Sequence, residues 1–359
     1  MVKQHPWTHA ISSFLTVMVI AGALYSGYFF FSTVRALVAQ VPLPFAERVA
    51  QAAEPFPAPE VNGSAEQEHD PAIIIPFLLS QRKLTEPVNI LLLGIDEREG
   101  ESGPWRTDTM ILVSIDPVNN SAVMLSIPRD LWTTIPGFGE SRINTAHFTG
   151  DLRNYPGGGP ALAKRTVWYA LGVPVHYYVR IDFTGFEQIV DAIGGLTVDV
   201  PEPIYDTKYP TADYGVKTIH IPEGVQQMDG RTALQYARTR QGGSDFARME
   251  RQQHLLLAAR DKAIALDIPL VRIPIILDLV GSSVSTDLTL EDMYLLADAA
   301  RKIERENIRH AVIDSSMTTT VITPQGWMVE VADWDKVRAL VNDLFPAPGT
   351  TPVRPTTSN

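Results

Sequence analysis

The 359-residue chain contains no cysteine, which excludes disulfides, thiolate metal sites and a cysteine nucleophile. It also has few lysines, since 22 of its 30 cationic residues are arginine and only 8 are lysine. The formal net charge of −11 argues against a general nucleic-acid binder, because such proteins present a basic surface. The sequence has no GxGxxG, P-loop, GxSxG or HExxH motif, so none of these signatures indicates a function.

Arginine is concentrated in two short windows. Nine of the 22 arginines fall within residues 96–142 and 231–251, which together make 68 residues. Arginine is favoured over lysine where a planar guanidinium binds phosphate or carboxylate through two hydrogen bonds. The two windows therefore predict that positive charge is gathered somewhere in an otherwise acidic protein.

The N-terminal part of the chain contains one long apolar run. Residues 11–31 carry no charged side chain, and as a helix they would extend about 31 Å, close to the ~30 Å hydrocarbon core of a bilayer. We therefore predict one transmembrane helix over 11–31, preceded by a short N-terminus, 1–10. A cleaved signal peptide is the alternative, although the run is longer than the usual apolar region of about 7–15 residues.

The rest of the chain divides into a linker, a domain and a tail. Residues 32–85 are rich in Pro, Ala and Glu and predict an extended linker, and 347–359, rich in Pro and Thr, predict a disordered tail. Between them, 86–346 contain five strand-like runs, at 89–93, 110–115, 122–127, 176–181 and 308–313. Helical spacing covers 160–171, 183–193, 246–266, 290–303 and 334–344. This interleaving predicts an α/β fold in which helices cover both faces of a sheet.

An acidic pair flanks the loop between the first two predicted strands. Asp96 follows one strand and Asp108 just precedes the next. If these strands pair antiparallel, both carboxylates reach one edge of the sheet, where strands lie about 4.8 Å apart. Two carboxylates at that range can share one Mg²⁺, although Asp is also common in loops as a turn former. Arg98 and Arg106 flank the pair and favour a diphosphate-binding site.

Further arginines follow later elements. Arg129 comes just after the third predicted strand and can point to the same edge, although an ordinary turn contact with Asp130 is the alternative. Arg142 follows a glycine-containing loop and adds one more cation. Arg238 and Arg240 would share one face if the chain there is extended, because side chains alternate along a strand.

The second window continues into a predicted helix. Ser244 or Asp245 can cap its N-terminus. Helical spacing brings three polar side chains to one face: Asp245, Arg248 and Gln252. A solvated charged helix face is the alternative interpretation. Taken together, the residues predict a membrane-anchored α/β domain that acts on a phosphorylated ligand.

Seven motifs in series resemble the LytR-CpsA-Psr family of bacterial cell-envelope proteins over about residues 86–315. They are NILLLGIDER, RTDTMILVSIDP, LSIPRDLW, RINTAH, DFTGFEQIVDAIGG, DGRTALQYARTR and DFARMERQQ. The resemblance implies an α/β/α sandwich with a central mixed sheet, in which an apolar pocket holds a polyprenyl chain. It also implies that 1–10 are cytoplasmic, that 32–85 form an extracytoplasmic linker, and that 86–346 form an extracytoplasmic catalytic domain.

The function implied by this resemblance is that of a membrane-anchored phosphotransferase in cell wall biogenesis. It would move a glycopolymer from an undecaprenyl-diphosphate carrier onto peptidoglycan with the help of Mg²⁺, or of Mn²⁺ in its place. The implied partners are the polyprenyl-diphosphate-linked glycopolymer, the peptidoglycan acceptor and the cytoplasmic membrane, with no nucleic acid. Two alternatives stay open: a polyprenyl-diphosphate phosphatase, and a non-enzymatic lipid-binding or regulatory protein of the transcriptional-attenuator type.

The resemblance also assigns roles to residues. Asp96 and Asp108 match the acidic pair that binds the metal, and Asp245 or an equivalent carboxylate of the family would accept the proton of the acceptor hydroxyl. The predicted catalytic residues are Asp96, Asp108, Arg129 and Asp245. The predicted diphosphate-binding residues are Arg98, Arg106, Arg129, Arg142, Arg238, Arg240, Arg248 and Gln252.

Overall fold

The structure, a computed structural model, describes residues 83–97, 103–211, 215–240, 244–266 and 273–346, apart from the side chain of Pro274. Outside these ranges lie the predicted N-terminus and anchor, 1–31, almost all of the predicted linker, 32–85, the predicted tail, 347–359, and Arg98. Within the described ranges no helix combines the length and the hydropathy that a membrane span requires.

Fourteen strands and eight α-helices occur in the described residues. The strands are β1 (Val88–Ile95), β2 (Thr107–Asp116), β3 (Ser121–Ser126), β4 (Trp132–Ile135), β5 (Gly139–Arg142), β6 (Tyr177–Ile181), β7 (Leu196–Val200), β8 (Ile204–Pro210), β9 (Val216–Ile221), β10 (Gly224–Met228), β11 (Val284–Thr286), β12 (Ile308–Val312), β13 (Thr318–Ile322) and β14 (Met328–Ala332). The helices are α1 (Thr145–Leu152), α2 (Gly158–Leu171), α3 (Phe183–Ala192), α4 (Gly230–Arg238), α5 (Asp245–Ala265), α6 (Ile273–Val280), α7 (Leu290–Lys302) and α8 (Trp334–Leu344).

Six of the strands form a central mixed sheet in the order β11-β6-β1-β2-β3-β12. β1 pairs antiparallel with β2, and β2 with β3, whereas β1–β6 and β3–β12 are parallel pairs. The remaining strands form two-stranded ribbons: β4–β5, β7–β10, β8–β9 and β13–β14. The predicted mixed sheet is confirmed.

The sheet is buried on both faces, which explains why its first strand is an almost continuous apolar run. On one face Leu91 and Leu93 pack into a core with residues of α2 and α8. On the other face Ile90 packs with residues of α7, and Ile111 packs with Leu257 of α5. The predicted covering of both faces by helices is confirmed.

A second core joins α3, α4 and α5 to the small ribbons. Val190, Leu196, Tyr236 and Leu255 are among its buried residues. α3 stops sharply within this core, since Gly194 and Gly195 after it both adopt positive φ angles, the conformation of a left-handed helix end. This second core fixes α4 and α5 against each other, and therefore determines where the second arginine window lies.

The strongly periodic elements were the predictable ones. All five predicted helices and all five predicted strands are present, with ends within three residues of the predicted ones. The pattern did not predict α1, α4 and α6, nor the strands of the small ribbons. The missed helix α4 has a direct consequence for the site.

Candidate functional site

The acidic pair lies at one end of the β1–β2 pair. Asp96 directly follows β1, and Asp108 is the second residue of β2, so the prediction that Asp108 precedes its strand was wrong. The reason is a β-bulge: Ile95 is opposite Thr107 and Gly94 is opposite Thr109, which leaves Asp108 as the extra residue. A bulge re-aims a side chain at the edge of a ladder. Both carboxylates thus lie at the same end of the sheet.

Arg129 connects this edge to the loop after β3. Its Nη1 lies 2.7 Å from Oδ1 of Asp108, and its Nε lies 3.4 Å from Oδ2 of Asp130. Arg129 therefore makes both contacts at once: the one to Asp108 at the sheet edge and the turn contact with Asp130 that was the alternative. The loop itself is held by the main chain, since the N–H of Asn144 donates to the carbonyl of Arg129 at 3.2 Å.

Arg248 reaches the same place from the first turn of α5. Its Nη2 donates to Oδ2 of Asp245 at 2.9 Å and to the main-chain oxygen of Asp108 at 3.2 Å, and the residue is only 4% exposed. Ser244 occupies the N-cap position, but its side chain makes no capping hydrogen bond. Asp245 is helical and pairs with Arg248 instead of capping, so the predicted capping by either side chain was wrong.

Burial and the neighbouring carboxylates have opposite effects on the pKa values of the two arginines in this cluster. Burial lowers the pKa of Arg129, but the carboxylates of Asp108, Asp245 and Asp130 outweigh it and raise that pKa overall. Burial dominates at Arg248 and lowers its pKa, and the nearby positive charge of Arg129 acts in the same direction. Two guanidinium groups thus share a poorly solvated place, where an additional anion would be stabilised.

Arg238 links the second arginine window to Asp96. It is the last residue of α4, so the predicted extended conformation was wrong. Its Nη2 lies 3.8 Å from Oδ2 of Asp96, and its Cζ lies 4.0 Å from the centre of the Phe183 ring. Its Nη1 also donates to the hydroxyl of Tyr209 at 3.4 Å. Arg238 to Asp96 and Arg248 to Asp108 are therefore two separate contacts between the windows.

Two residues that the pattern did not single out hold the second window in position. The buried Arg251 donates through Nε to the carbonyl of Tyr236 at 3.1 Å and through Nη2 to the carbonyl of Thr239. The buried Asp206 accepts a hydrogen bond from the hydroxyl of Thr239 at 2.7 Å. Thr239 lies between Arg238 and Arg240, so these contacts orient both. The only signal for Arg251 was its place in the window, and Asp206 gave none.

Two other predicted residues, Gln252 and Arg240, affect the surroundings of Arg248 and α4. Gln252 donates to the carbonyl of Ala237 at 3.3 Å and ties α5 to α4. Arg240 is exposed, yet its charge contributes to lowering the pKa of Arg248. Arg98 lies outside the described residues.

Arg106 and Arg142 both stack on aromatic rings. The Cζ of Arg106 lies 5.6 Å from the Phe148 ring, and that of Arg142 lies 5.8 Å from the Trp327 ring. Arg142 also pairs with Asp130 at 3.3 Å. Arg142 is therefore connected to the cluster through Asp130 rather than directly.

Asp96 and Asp108 fit a metal site completed by substrate and water better than one made of protein ligands alone. In the part of the chain that the structure describes, no group of three or more His, Asp or Glu side chains is arranged to hold a metal. An all-protein cage is therefore not formed by these residues. Mg²⁺ instead commonly uses one or two carboxylates together with substrate phosphates and water. Asp96 and Asp108 match that donor set.

The comparisons with known proteins agree on one family. The profile of the LytR_cpsA_psr family matches residues 59–342. The polyisoprenyl-teichoic acid–peptidoglycan teichoic acid transferase TagU of Oceanobacillus iheyensis is 38% identical over 216 residues, which are 60% of this chain and 63% of that protein. The chain thus matches slightly less than two thirds of that relative's length.

Solved structures show the same fold. TagV of Bacillus subtilis has a TM-score of 0.57 at 28% identity, covering 72% of this chain and 97% of that one. TagT bound to LI-WTA has a TM-score of 0.57 at 28% identity, covering 78% of this chain and 93% of that one. Because the family profile spans most of the sequence and the motifs occur in order, the chain belongs to the LytR-CpsA-Psr family.

Proposed function

We propose that the chain is a membrane-anchored phosphotransferase that moves a glycopolymer from a polyprenyl-diphosphate carrier onto peptidoglycan. The observation that carries this proposal is the meeting of both arginine windows at one acidic pair, through Arg129 and Arg248 at Asp108 and through Arg238 at Asp96. The names of the similar transferases support the same substrate class. The proposed anchor is residues 11–31, with the domain on the extracytoplasmic side.

The arginines would bind and orient the diphosphate. A planar guanidinium forms two parallel hydrogen bonds to a phosphoryl group, and Arg129 and Arg248 approach the same edge from different elements. Their burial strengthens this interaction, because the surrounding medium screens charge poorly. Arg238, held on the Phe183 ring, would bind from the side of Asp96.

Asp96 and Asp108 would hold Mg²⁺ or Mn²⁺, which when bound neutralises diphosphate charge and assists departure of the leaving group. In the reaction the acceptor sugar hydroxyl attacks the phosphorus next to the glycopolymer. The new P–O bond forms as the bond to the polyprenyl phosphate breaks. Asp245, beside Arg248, would accept the proton of the hydroxyl.

The test is a product analysis with the purified full chain. A polyprenyl-diphosphate-linked glycopolymer is incubated with and without peptidoglycan fragments, and the products are identified by mass spectrometry. We expect a phosphodiester between glycopolymer and peptidoglycan that requires the fragments. Release of a free phosphorylated glycopolymer regardless of the fragments would indicate the phosphatase, and an unchanged donor would indicate a non-enzymatic protein.

Variants make this test specific to the site. We expect Asp96→Asn and Arg129→Ala to lower transfer by about 10²–10³-fold, the usual effect of removing one group that stabilises transition-state charge. Arg338→Ala is the matched control, because Arg338 is exposed on α8 and pairs with Asp335 of the same helix. Full activity of both site variants would contradict the proposal.

A further inference from the structure

The β13–β14 hairpin has an uncharged tip with several exposed apolar side chains. Residues 315–329 contain no charged residue and no histidine, in a chain of which 20% is charged. Ile322 is 69% exposed, Met328 63% and Trp327 46%. Scattered exposed apolar residues need no explanation, but such a cluster on one short hairpin indicates a surface that contacts something apolar.

These apolar side chains lie on both faces of the hairpin. Ile322 is opposite Met328, and residues directly opposite in an antiparallel pair share a face. Val321 and Val331, which are 42% and 40% exposed, alternate to the other face. A glycan or protein packed against the hairpin would cover one face and leave the other in water. A tip that is apolar on both faces is suited to insertion into a surrounding apolar phase.

The hairpin is joined firmly to the candidate site. The N–H of Glu330 donates to the carbonyl of Asp130 at 2.9 Å, next to Arg129. The carboxylate of Glu330 accepts hydrogen bonds from the hydroxyls of Thr318 and Thr320 at 2.8 and 2.6 Å. The first charge after the tip is therefore bound within the hairpin. The tip thus has a fixed position relative to the loop of Arg129.

We propose that this tip, residues 321–328, inserts into the headgroup region of a lipid bilayer. Tryptophan and long apolar side chains favour that interface. With a net charge of −11, the protein gains little from electrostatic attraction to an anionic membrane, so apolar insertion is the available route. Insertion would hold the arginine cluster next to the membrane surface. That consequence rests on the proposed lipid-linked substrate, whereas insertion itself does not.

The absence of cysteine permits a direct test. Met328→Cys introduces one thiol for an environment-sensitive fluorophore, and Val225→Cys, on the 70% exposed position in β10, is the matched control. The full chain is reconstituted in vesicles of phosphatidylglycerol and phosphatidylcholine. We expect a blue-shifted emission that headgroup-region quencher lipids reduce for the Met328→Cys label, and neither effect for the control. A water-like emission at both positions would overturn the proposal.

A second arm separates the membrane from a glycan and from the proposed function. The labelled chain in detergent is titrated with soluble glycopolymer and peptidoglycan fragments. A response of the Met328→Cys label to these fragments but not to vesicles would overturn insertion in favour of a glycan surface. The double variant Ile322→Ser and Met328→Ser, at two exposed positions, should lower transfer from a bilayer donor by roughly tenfold but leave transfer from a short, water-soluble donor unchanged. Equal losses with both donors would contradict insertion, and the label reports insertion even if the chain transfers nothing.

Discussion

The arginine side chains of the site differ in what holds them, and this determines what each can do. Arg129 and Arg248 are paired with carboxylates that surround the sheet edge. Arg238 lies on the ring of Phe183, which orients the guanidinium without neutralising its charge. Arg251 instead donates to main-chain carbonyls at the end of α4. Under the proposed function the first three would bind phosphate, whereas Arg251 would position its neighbours.

Replacing Arg251 tests that distinction. Arg251→Met keeps much of the side-chain volume but leaves the carbonyls of Tyr236 and Thr239 without their donor. We expect a loss of about 3 kcal/mol in the free energy of unfolding, measured by chemical denaturation, because buried groups bound to a charge are left unsatisfied. Arg338→Met, at an exposed position, is the control and should change stability by less than about 0.5 kcal/mol.

The same variant should also affect diphosphate binding, through the altered direction of Arg238 and Arg240. Arg251→Lys retains the charge but cannot donate to both carbonyls with one planar group. Relative to Arg251→Met, we therefore expect Arg251→Lys to regain part of the lost stability but a smaller part of the lost affinity for the diphosphate. An Arg251→Met protein as stable as the control would contradict this role.

At the scale of elements, the β-bulge between β1 and β2 is the feature that directs Asp108 to the site. It depends on a close approach: a Cβ on Gly94 would lie 2.9 Å from the Cβ of Thr109. β1 can therefore pair with β2 in this register because its second-last residue, opposite Thr109, is Gly94. This explains a glycine that neither a strand pattern nor a turn requires.

Gly94→Ala should accordingly disturb the site more than the fold. We expect a destabilisation of about 1–3 kcal/mol from the crowded contact, together with a marked loss of transfer, because Asp108 lies within the displaced bulge. Thermal unfolding and the transfer assay measure the two effects. Gly103→Ala, where a Cβ meets open space without a positive φ, is the control. If both alanine variants behave alike, the bulge does not direct Asp108.

The elements also show how far the sequence determines the site. Helices with a continuous apolar stripe, such as α5, were predictable from their 3.6-residue period. α4 was missed although it carries a start signal, since the side chain of Asp229 accepts a hydrogen bond from the N–H of Thr232. That omission produced the wrong conformation for Arg238. The motifs contain charged residues that the structure brings together, such as Asp108, Arg129 and Arg248. A buried carboxylate such as Asp206 bonds across the fold and leaves no local pattern.

At the scale of the whole molecule, two histidines with lowered pKa values link stability to pH. Loss of solvation lowers the pKa of the buried His147 and of the half-buried His254 below the ordinary value of 6.5. The unfolded chain then binds more protons than the folded one, so stability is fully present above pH 6.5 and is lost as the pH falls below it. Burial raises the pKa of Glu187 above 4.5, which acts in the opposite sense, since its contribution is lost as the pH rises.

Comparing a variant of a buried histidine with a variant of an exposed one tests the contribution of His147 to the pH dependence of stability. His147 is fully buried, so His147→Asn should flatten the dependence of unfolding free energy on pH below 6.5 by up to about 1.4 kcal/mol per pH unit. His220→Asn, at an exposed position, is the control and should leave the slope as in the original chain. Denaturant unfolding at several pH values between 5 and 7.5 gives both slopes. Equal slopes in all three proteins would show that His147 does not carry this dependence.

The binding of a polyprenyl diphosphate tests most directly whether the two arginine windows form one site. The full chain and its Arg129→Ala, Arg238→Ala and Arg338→Ala variants are titrated with the diphosphate and with the corresponding monophosphate. We expect each of the first two variants, one from either window, to lose about tenfold or more in affinity for the diphosphate, as for a lost charge-assisted hydrogen bond. Arg338→Ala should bind like the original chain. Unchanged diphosphate affinity in both Arg129→Ala and Arg238→Ala would contradict a shared site.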